Sequence, residues 1–328
     1  MSRKGATAAA AYGTSLWGFA VIGIGFFLAK SHFKPLLLFC FFGGIGVGWT
    51  YLAVIIMVDQ ELPNSSFIPN AIGPLGFASG TTAIVGLEIL FRLSKLDAVA
   101  LGIRVVIMGA IFALVGISTM IMLSSQTMKP EEQSPPWVHF SSSELILPVL
   151  LFFSALPGMT VLSAVLHFSS YYAVRYWSQT LEILPSGMLS LAVGCILAPI
   201  LSSQFGPRAL LVALSSLQSI LLVLLSRAQS ATLAMTAFFV VLFIHGSGLS
   251  ILLELAKDHT AHSTVLPLKY GRVLAAWGLA GAAGCLLSSQ LLRLTGGEEI
   301  LVFVIGIVSL WFGATLYFAP FFGTRSLV

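Results

Sequence analysis

Two cations one helical turn apart, Lys269 and Arg272, stand at the start of a twenty-residue apolar stretch, LKYGRVLAAWGLAGAAGCLL at 268–287. Cations so placed either draw an anion to the membrane surface or anchor the helix there, their stems lying along it. Trp277 follows, about 7 Å deeper by helical rise. Other charged or titratable groups within apolar runs are few. Each is a candidate because an ionised side chain near mid-membrane costs at least about 2.5–3.5 kcal/mol. Arg104, six residues into its run, has the chemistry of an anion-binding cation, with snorkelling to the interface as the alternative. Glu88 has the chemistry of a proton carrier if burial raises its affinity for a proton, or of an ion-pair partner for Arg92 four residues on. His245 lies mid-run beside Gly246 and Gly248 and suits proton coupling or plain packing. Trp49, Tyr51 and Trp277 fit the wall of a solute path or a lipid-facing or packing surface. Asp258, His259 and His262 have ligand types at helical spacing but no further ligand, so no metal is expected. Cys40, Cys195 and Cys285 are odd in number, sit in apolar runs and read as small packing residues. No phosphate-cradling glycine loop and no intramembrane nucleophile or ligand cluster is present, so neither an enzyme nor a cofactor is expected.

These residues must be positioned by membrane-spanning helices. Of 328 residues, 57% are hydrophobic and 9% charged, and the mean hydropathy is +0.99, outside the range of soluble globular domains. The formal charge of +4 comes from 16 Lys and Arg scattered singly between apolar runs, which makes no nucleic-acid patch. Apolar runs of roughly twenty residues predict ten spans, at 6–29, 35–58, 70–91, 98–123, 145–166, 181–203, 209–226, 231–253, 271–292 and 300–322. The runs are too long for barrel strands and do not alternate with polar residues. Pro35, Pro148, Pro185 and Pro267 fall near span starts, where a missing N–H is harmless, whereas Pro74, Pro157 and Pro199 lie deeper and should bend their helices. The polar, proline-bearing interval Ser124–Glu144 reads as a linker, giving four spans in 1–123, the linker at 124–144 and six spans in 145–328. Charge does not orient the chain: eight Lys and Arg fall on the side of the termini and eight on the other. Small residues let helices approach closely in lipid, and the stripes Gly73, Gly76, Gly80 and Gly278, Gly281, Gly284 are the expected packing faces.

A family resemblance rests on several of these stretches. Ser2-Arg3-Lys4-Gly5-Ala6 and Ser203-Gln204-Phe205-Gly206-Pro207-Arg208 resemble worn copies of the Asp-Arg-x-Gly-Arg-Arg loop of major facilitator transporters. Arg3, Gly5, Gly206 and Arg208 match, and Ser2 and Ser203 stand where the acid belongs. Phe42-Gly43-Gly44-Ile45-Gly46-Val47-Gly48-Trp49 resembles the fourth helix of the oxalate/formate-antiporter and monocarboxylate-carrier branch. Ala71-Ile72-Gly73-Pro74-Leu75-Gly76 resembles its fifth, and Tyr270 to Gly284 its eleventh. On that frame the ten spans correspond to helices three to twelve, with no counterpart of helices one and two. The dicarboxylate-holding arginine and lysine of that branch align with Cys195 and Trp277.

The resemblance implies an all-α, polytopic, multi-pass bundle of major facilitator type with about ten transmembrane helices. Its implied activity is secondary transport of a small organic solute, a monocarboxylate-like anion above all, by alternating access. The competing expectation is a degenerate, non-transporting carrier that serves as a membrane scaffold or subunit. A homodimer mate or partner subunit would then cover the side of the missing helices.

Overall fold

The computed structural model describes residues 3–62, 71–73, 75–76, 97–124, 183–226, 230–258, 266–295 and 308. They are almost wholly helical. Bilayer hydrocarbon offers backbone amides no partner, so a spanning chain must close its own hydrogen bonds. Seven long helices are present among these residues: α1 (Arg3–Ala29), α2 (Phe33–Glu61), α3 (Ala98–Ser124), α4 (Ile183–Phe205), α5 (Pro207–Ser226), α6 (Ala231–Asp258) and α7 (Leu266–Thr295). They coincide with the first, second, fourth and sixth to ninth predicted spans. The fifth span lies outside the described residues, as do most of the third and tenth. The protein is an integral, multi-pass membrane protein of the polytopic helical-bundle class. Five of the described helices, α1 to α4 and α6, are long and apolar enough to cross a bilayer.

Pro35, Pro185 and Pro267 all fall in the first turn of their helices, as expected. The turn from α1 to α2 is closed by Ser31 N–H donating to Leu28 O at 3.0 Å and His32 N–H donating to Phe27 O at 2.9 Å. Ser31 takes the left-handed φ of 56° that this helix ending demands. Gly206, at φ +80°, is the single residue joining α4 to α5, and its N–H caps Ser202 O at 2.8 Å. That conformation is what glycine supplies there.

The chain divides into two compact units, Met1–Pro69 with Leu87–Val138 and Asn70–Gly86 with His139–Val328.

In the first unit α1 packs against both α2 and α3. Glycine sets these contacts. A Cβ at Gly13 would meet Gly46 O at 2.7 Å, and a Cβ at Gly46 would meet Gly13 O at the same distance. Gly25 and Gly102 are reciprocal in the same way, at 2.6 and 2.5 Å from each other's carbonyl oxygens. Gly116 lies on Ser15, Gly109 on Gly18 and Ile22, and Gly18 on Ala113. The seam therefore runs antiparallel, with Gly102, Gly109 and Gly116 of α3 seven residues apart. The outer side of α3 shows Ile103, Ile107, Ile111, Leu114 and Ile121 to the surroundings, each more than half exposed, as a lipid-facing surface should.

In the second unit α6 is the hub, packed against α4, α5 and α7. Gly187 on α4 meets Phe238 and Leu242, Gly194 meets the Phe243 carbonyl, and Gly246 of α6 meets the Leu191 carbonyl. Residue numbers rise together along this interface, so α4 and α6 run parallel. Among the described residues the close approach of α4 to α6 falls to Gly187, Gly194 and Gly246, and no described atom comes within 4 Å of where a Cβ at Gly76 or Gly278 would sit. Gly73 is half-buried, Gly281 and Gly284 are described only as helical backbone, and Gly80 lies outside the described residues.

Candidate functional site

The second unit carries a polar belt at one depth. Counting 1.5 Å per residue from the shared end where α6 finishes and α7 begins, His245 lies about 20 Å in and Trp277 about 17 Å in. Gln218 on α5 and Cys195 on α4 lie at about 17 and 15 Å from the same end, so all four sit near the middle of a hydrocarbon core of about 30 Å. His245 and Trp277 are 7% and 8% exposed, and their rings meet with centroids 5.3 Å apart and planes tilted 35°. Gly248 lies between Leu211 and the far edge of Trp277, a Cβ there meeting the indole at 3.3 Å. Glycine at 248 thus makes room for the indole beside the imidazole.

Trp277 Nε1 and Gln218 Nε2 are buried and find no hydrogen-bond partner among the described residues. A buried donor left unmade costs about 1–3 kcal/mol, and native folds carry few of them. An indole N–H beside an imidazole at mid-membrane can donate to a carbonyl, hydroxyl or carboxylate oxygen, while the imidazole can accept or pass a proton.

A ladder of short polar contacts binds α4 to α6 beside this pair. Ser190 Oγ donates to Phe239 O at 2.8 Å, Cys195 Sγ to Gly246 O at 3.4 Å, and Ser250 Oγ to Cys195 O at 3.0 Å. Ser247 Oγ reaches both Phe243 O at 2.9 Å and Gly194 O at 3.3 Å. At the membrane face Ser202 Oγ donates to Glu254 Oε2 at 2.6 Å. The Ser250 bond has a specific cause. Pro199, inside α4, lacks the N–H that would otherwise bond the carbonyl four residues back, which is that of Cys195. Ser250 supplies the missing donor from across the interface. Ser250→Ala is therefore expected to destabilise the protein by about 1–3 kcal/mol. Pro199→Ala in the same chain should recover most of that by restoring the intrahelical bond. Thermal midpoints of the two single variants and the double variant in detergent check this, and additive losses would refute it.

The residues singled out from sequence are distributed unevenly. His245 and Trp277 come together. Cys195, one of the two positions aligned with the branch's cations, is buried and tied to Gly246. Lys269 and Arg272 are half-buried at the start of α7, flanking the enclosed Tyr270. In the first unit, Trp49 is 52% exposed and Tyr51 is half-buried with its hydroxyl enclosed. Arg104 is exposed on α3 between the exposed Ile103 and Ile107. Glu88 lies outside the described residues. In the degenerate loops, Gly5 and Arg208 are half-buried. Ser203, at the acid's position, bonds back to Ile200 O at 2.7 Å, so the link from α4 to another helix at this face is made by its neighbour Ser202. The side chain of Arg3 lies outside the description.

No protein-family model matches the chain, and no characterised protein matches it in sequence. Solved structures do. The chain is similar to the major facilitator superfamily transporter FucP in its outward conformation, at 14% identity and a TM-score of 0.62, over 100% of this chain and 84% of that one. It is similar to the human organic anion transporter MFSD10, at 14% identity and a TM-score of 0.64, over 96% and 82%. A bacterial homologue of the iron transporter ferroportin, outward-facing, matches at 12% identity and a TM-score of 0.64, over 98% and 84%. The fold is that of the major facilitator transporters.

Proposed function

We infer that the chain is a secondary transporter of a small organic solute, working by alternating access. The mid-membrane pair His245–Trp277 forms part of its solute path. The observation that carries this reading is the buried indole N–H, held against an imidazole and given no partner among the described residues, in a fold whose solved representatives are transporters. The solute is a monocarboxylate-like anion. Cys195 and Trp277 replace the two cations that the resembling branch sets on a dicarboxylate; with the Cys195 thiol bonded to Gly246 O, the Trp277 N–H is the one neutral donor left at these two positions, which suits a single carboxylate. One similar protein, MFSD10, is named an organic anion transporter, whereas FucP is a fucose:proton symporter. His245 is the proton-coupling group within the described residues, with Glu88 the candidate outside them.

Uptake of labelled lactate, pyruvate, formate and oxalate, with fucose as the neutral comparison, into proteoliposomes of the purified chain tests the reading. Saturable uptake of a monocarboxylate exceeding that of oxalate and fucose by tenfold or more is expected. Flat time courses for the whole panel would refute transport. A second reading, a non-transporting subunit or scaffold, is favoured by the bond from Cys195 to Gly246, which seals one of the aligned cation positions into the α4–α6 interface. A homodimer mate or partner subunit is then required, and the detergent-solubilised mass distinguishes that case from a lone transporting monomer.

A further inference from the structure

Gln218 stands outside the His245–Trp277 contact, yet it is 6% exposed in the middle of α5 and its Nε2 finds no partner among the described residues. The packing around α6 shows what it faces. The contacts of α6 with α4 run through Phe239, Phe243, Gly246, Ser247 and Ser250. Gly248 and His245, three residues apart, lie on the other side of the helix. A Cβ at Gly248 would sit 3.3 Å from the Trp277 ring and 4.0 Å from Leu211 Cδ1, so α5 and α7 both come to that side.

Because α5 turns back from α4 through the single residue Gly206, and α4 is parallel to α6, α5 runs antiparallel to α6. From the level shared by Leu211 and Gly248, one turn inward reaches Leu214 on α5 and His245 on α6, and a second turn reaches Gln218. Leu211, Leu214 and Gln218 follow one another at helical spacing on one face of α5, and all three are buried. Helical side chains lean towards the N-terminus of their own helix. That lean carries the Gln218 amide back towards the level of His245 and the His245 ring inward towards the level of Gln218, so the two groups converge across the α5–α6 contact.

An imidazole that takes up a proton acquires a second N–H, and an ion at mid-membrane without a hydrogen-bond partner is very costly. A primary amide answers either state of the ring: Nε2 donates to the lone pair of the neutral form, and after a turn about the last side-chain bond Oε1 accepts from the charged form. We propose that Gln218 is the positioning residue for the proton on His245, its amide oxygen holding the imidazolium N–H. The proposal rests on the reading of His245 as the proton-coupling group. Being neutral, the amide does not trap the proton as a carboxylate would. Among the described residues, the other titratable or charged groups of α6 and the helices packed on it lie elsewhere. Cys195 is on the α4 side, whereas Arg208, Glu254, Lys257, Lys269, Tyr270 and Arg272 are roughly two turns or more nearer the membrane face.

An imidazolium quenches a neighbouring indole, so the tryptophan emission of the purified full chain in detergent, titrated from about pH 8 to about pH 5, reports on the ring 5.3 Å from Trp277. Wild type should show a quench that His245→Phe and Trp277→Phe both lack. Gln218→Met keeps the side-chain length without the amide oxygen. It should cut the ratio of charged to neutral His245 at a given pH by about tenfold to a hundredfold, the worth of one hydrogen bond to a charged group, so that the quench is lost from this range. Gln218→Glu restores an acceptor and should recover the quench, and Ser215→Ala, on the same buried face, should keep it. The thermal midpoint of Gln218→Met at pH 8 should hold or rise, because a buried donor without a described partner is removed. Should Gln218→Met fail to fold, Gln218→Leu decides in its place. A lowered midpoint with the quench intact would mark Gln218 as a packing residue and overturn the proposal. An undiminished quench at an unchanged midpoint would overturn it too, leaving His245 as the coupling group, whereas a wild type without the quench would overturn both readings.

Discussion

Gly246→Ala lowers the unfolding free energy by about 3 kcal/mol, towards the upper end of what overpacking a well-packed interior costs, and does so through a single added methyl. The Cβ would overlap the Leu191 carbonyl, which is backbone and has no rotamer to move into. The helices would have to part, and parting them lengthens the bonds from Cys195 Sγ to Gly246 O and from Ser250 Oγ to Cys195 O. The second loss is the heavier because Pro199 leaves the Cys195 carbonyl no donor of its own in lipid. Gly194→Ala should behave alike, since its Cβ would overlap the Phe243 carbonyl from the other side. Gly278→Ala is the control. Its Cβ would meet no described atom, and exchanging glycine for alanine within a helix is favourable by up to about 1 kcal/mol. Thermal midpoints in detergent, read alongside size-exclusion profiles, should place Gly246→Ala and Gly194→Ala well below wild type and Gly278→Ala at or above it. Equal behaviour of all three would show that the α4–α6 contact is not set by these glycines.

That contrast shows where sequence reading stops in a membrane chain. Helix existence was legible because the hydrocarbon core dictates both length and composition, and each of α1 to α7 lies on a predicted apolar run. Helix faces were not. A soluble helix announces its buried side by amphipathic contrast, but here lipid and neighbouring helix are equally apolar, so a glycine stripe marks a close contact without saying which of several stripes meets a partner. The seven-residue repeat Gly102, Gly109, Gly116 was available in the sequence and is the seam of α3 against α1. Gly278 looked as good, and a Cβ there meets no described atom. Likewise His245 and Trp277 could each be singled out as a polar or aromatic residue deep in a run. Their pairing depends on α6 and α7 meeting at one depth, 32 residues apart in sequence, which no local pattern encodes. The tie between Pro199 and Ser250 is hidden for the same reason: the proline's freed carbonyl is readable, the serine that answers it is not.

Trp277→Phe is expected to separate stability from transport. Phenylalanine keeps an aromatic face against His245 and beside Gly248 while deleting the indole N–H, a buried donor with no partner among the described residues. Removing such a donor relieves a desolvation cost of about 1–3 kcal/mol, against some loss of packed area from the smaller ring. The thermal midpoint should therefore hold or rise. If the same N–H donates to the solute, uptake of the transported monocarboxylate should fall tenfold to a hundredfold, chiefly through KM, because one hydrogen bond to a charged acceptor is worth about 1.5–3 kcal/mol. His245→Phe should leave the ring contact in place but abolish any proton-driven component, so that uptake no longer responds to an imposed pH gradient. A purely structural pair gives the opposite signature, with stability lost in both variants and transport falling only in proportion to folded protein. Unchanged KM and an intact response to the gradient would remove both residues from the solute path.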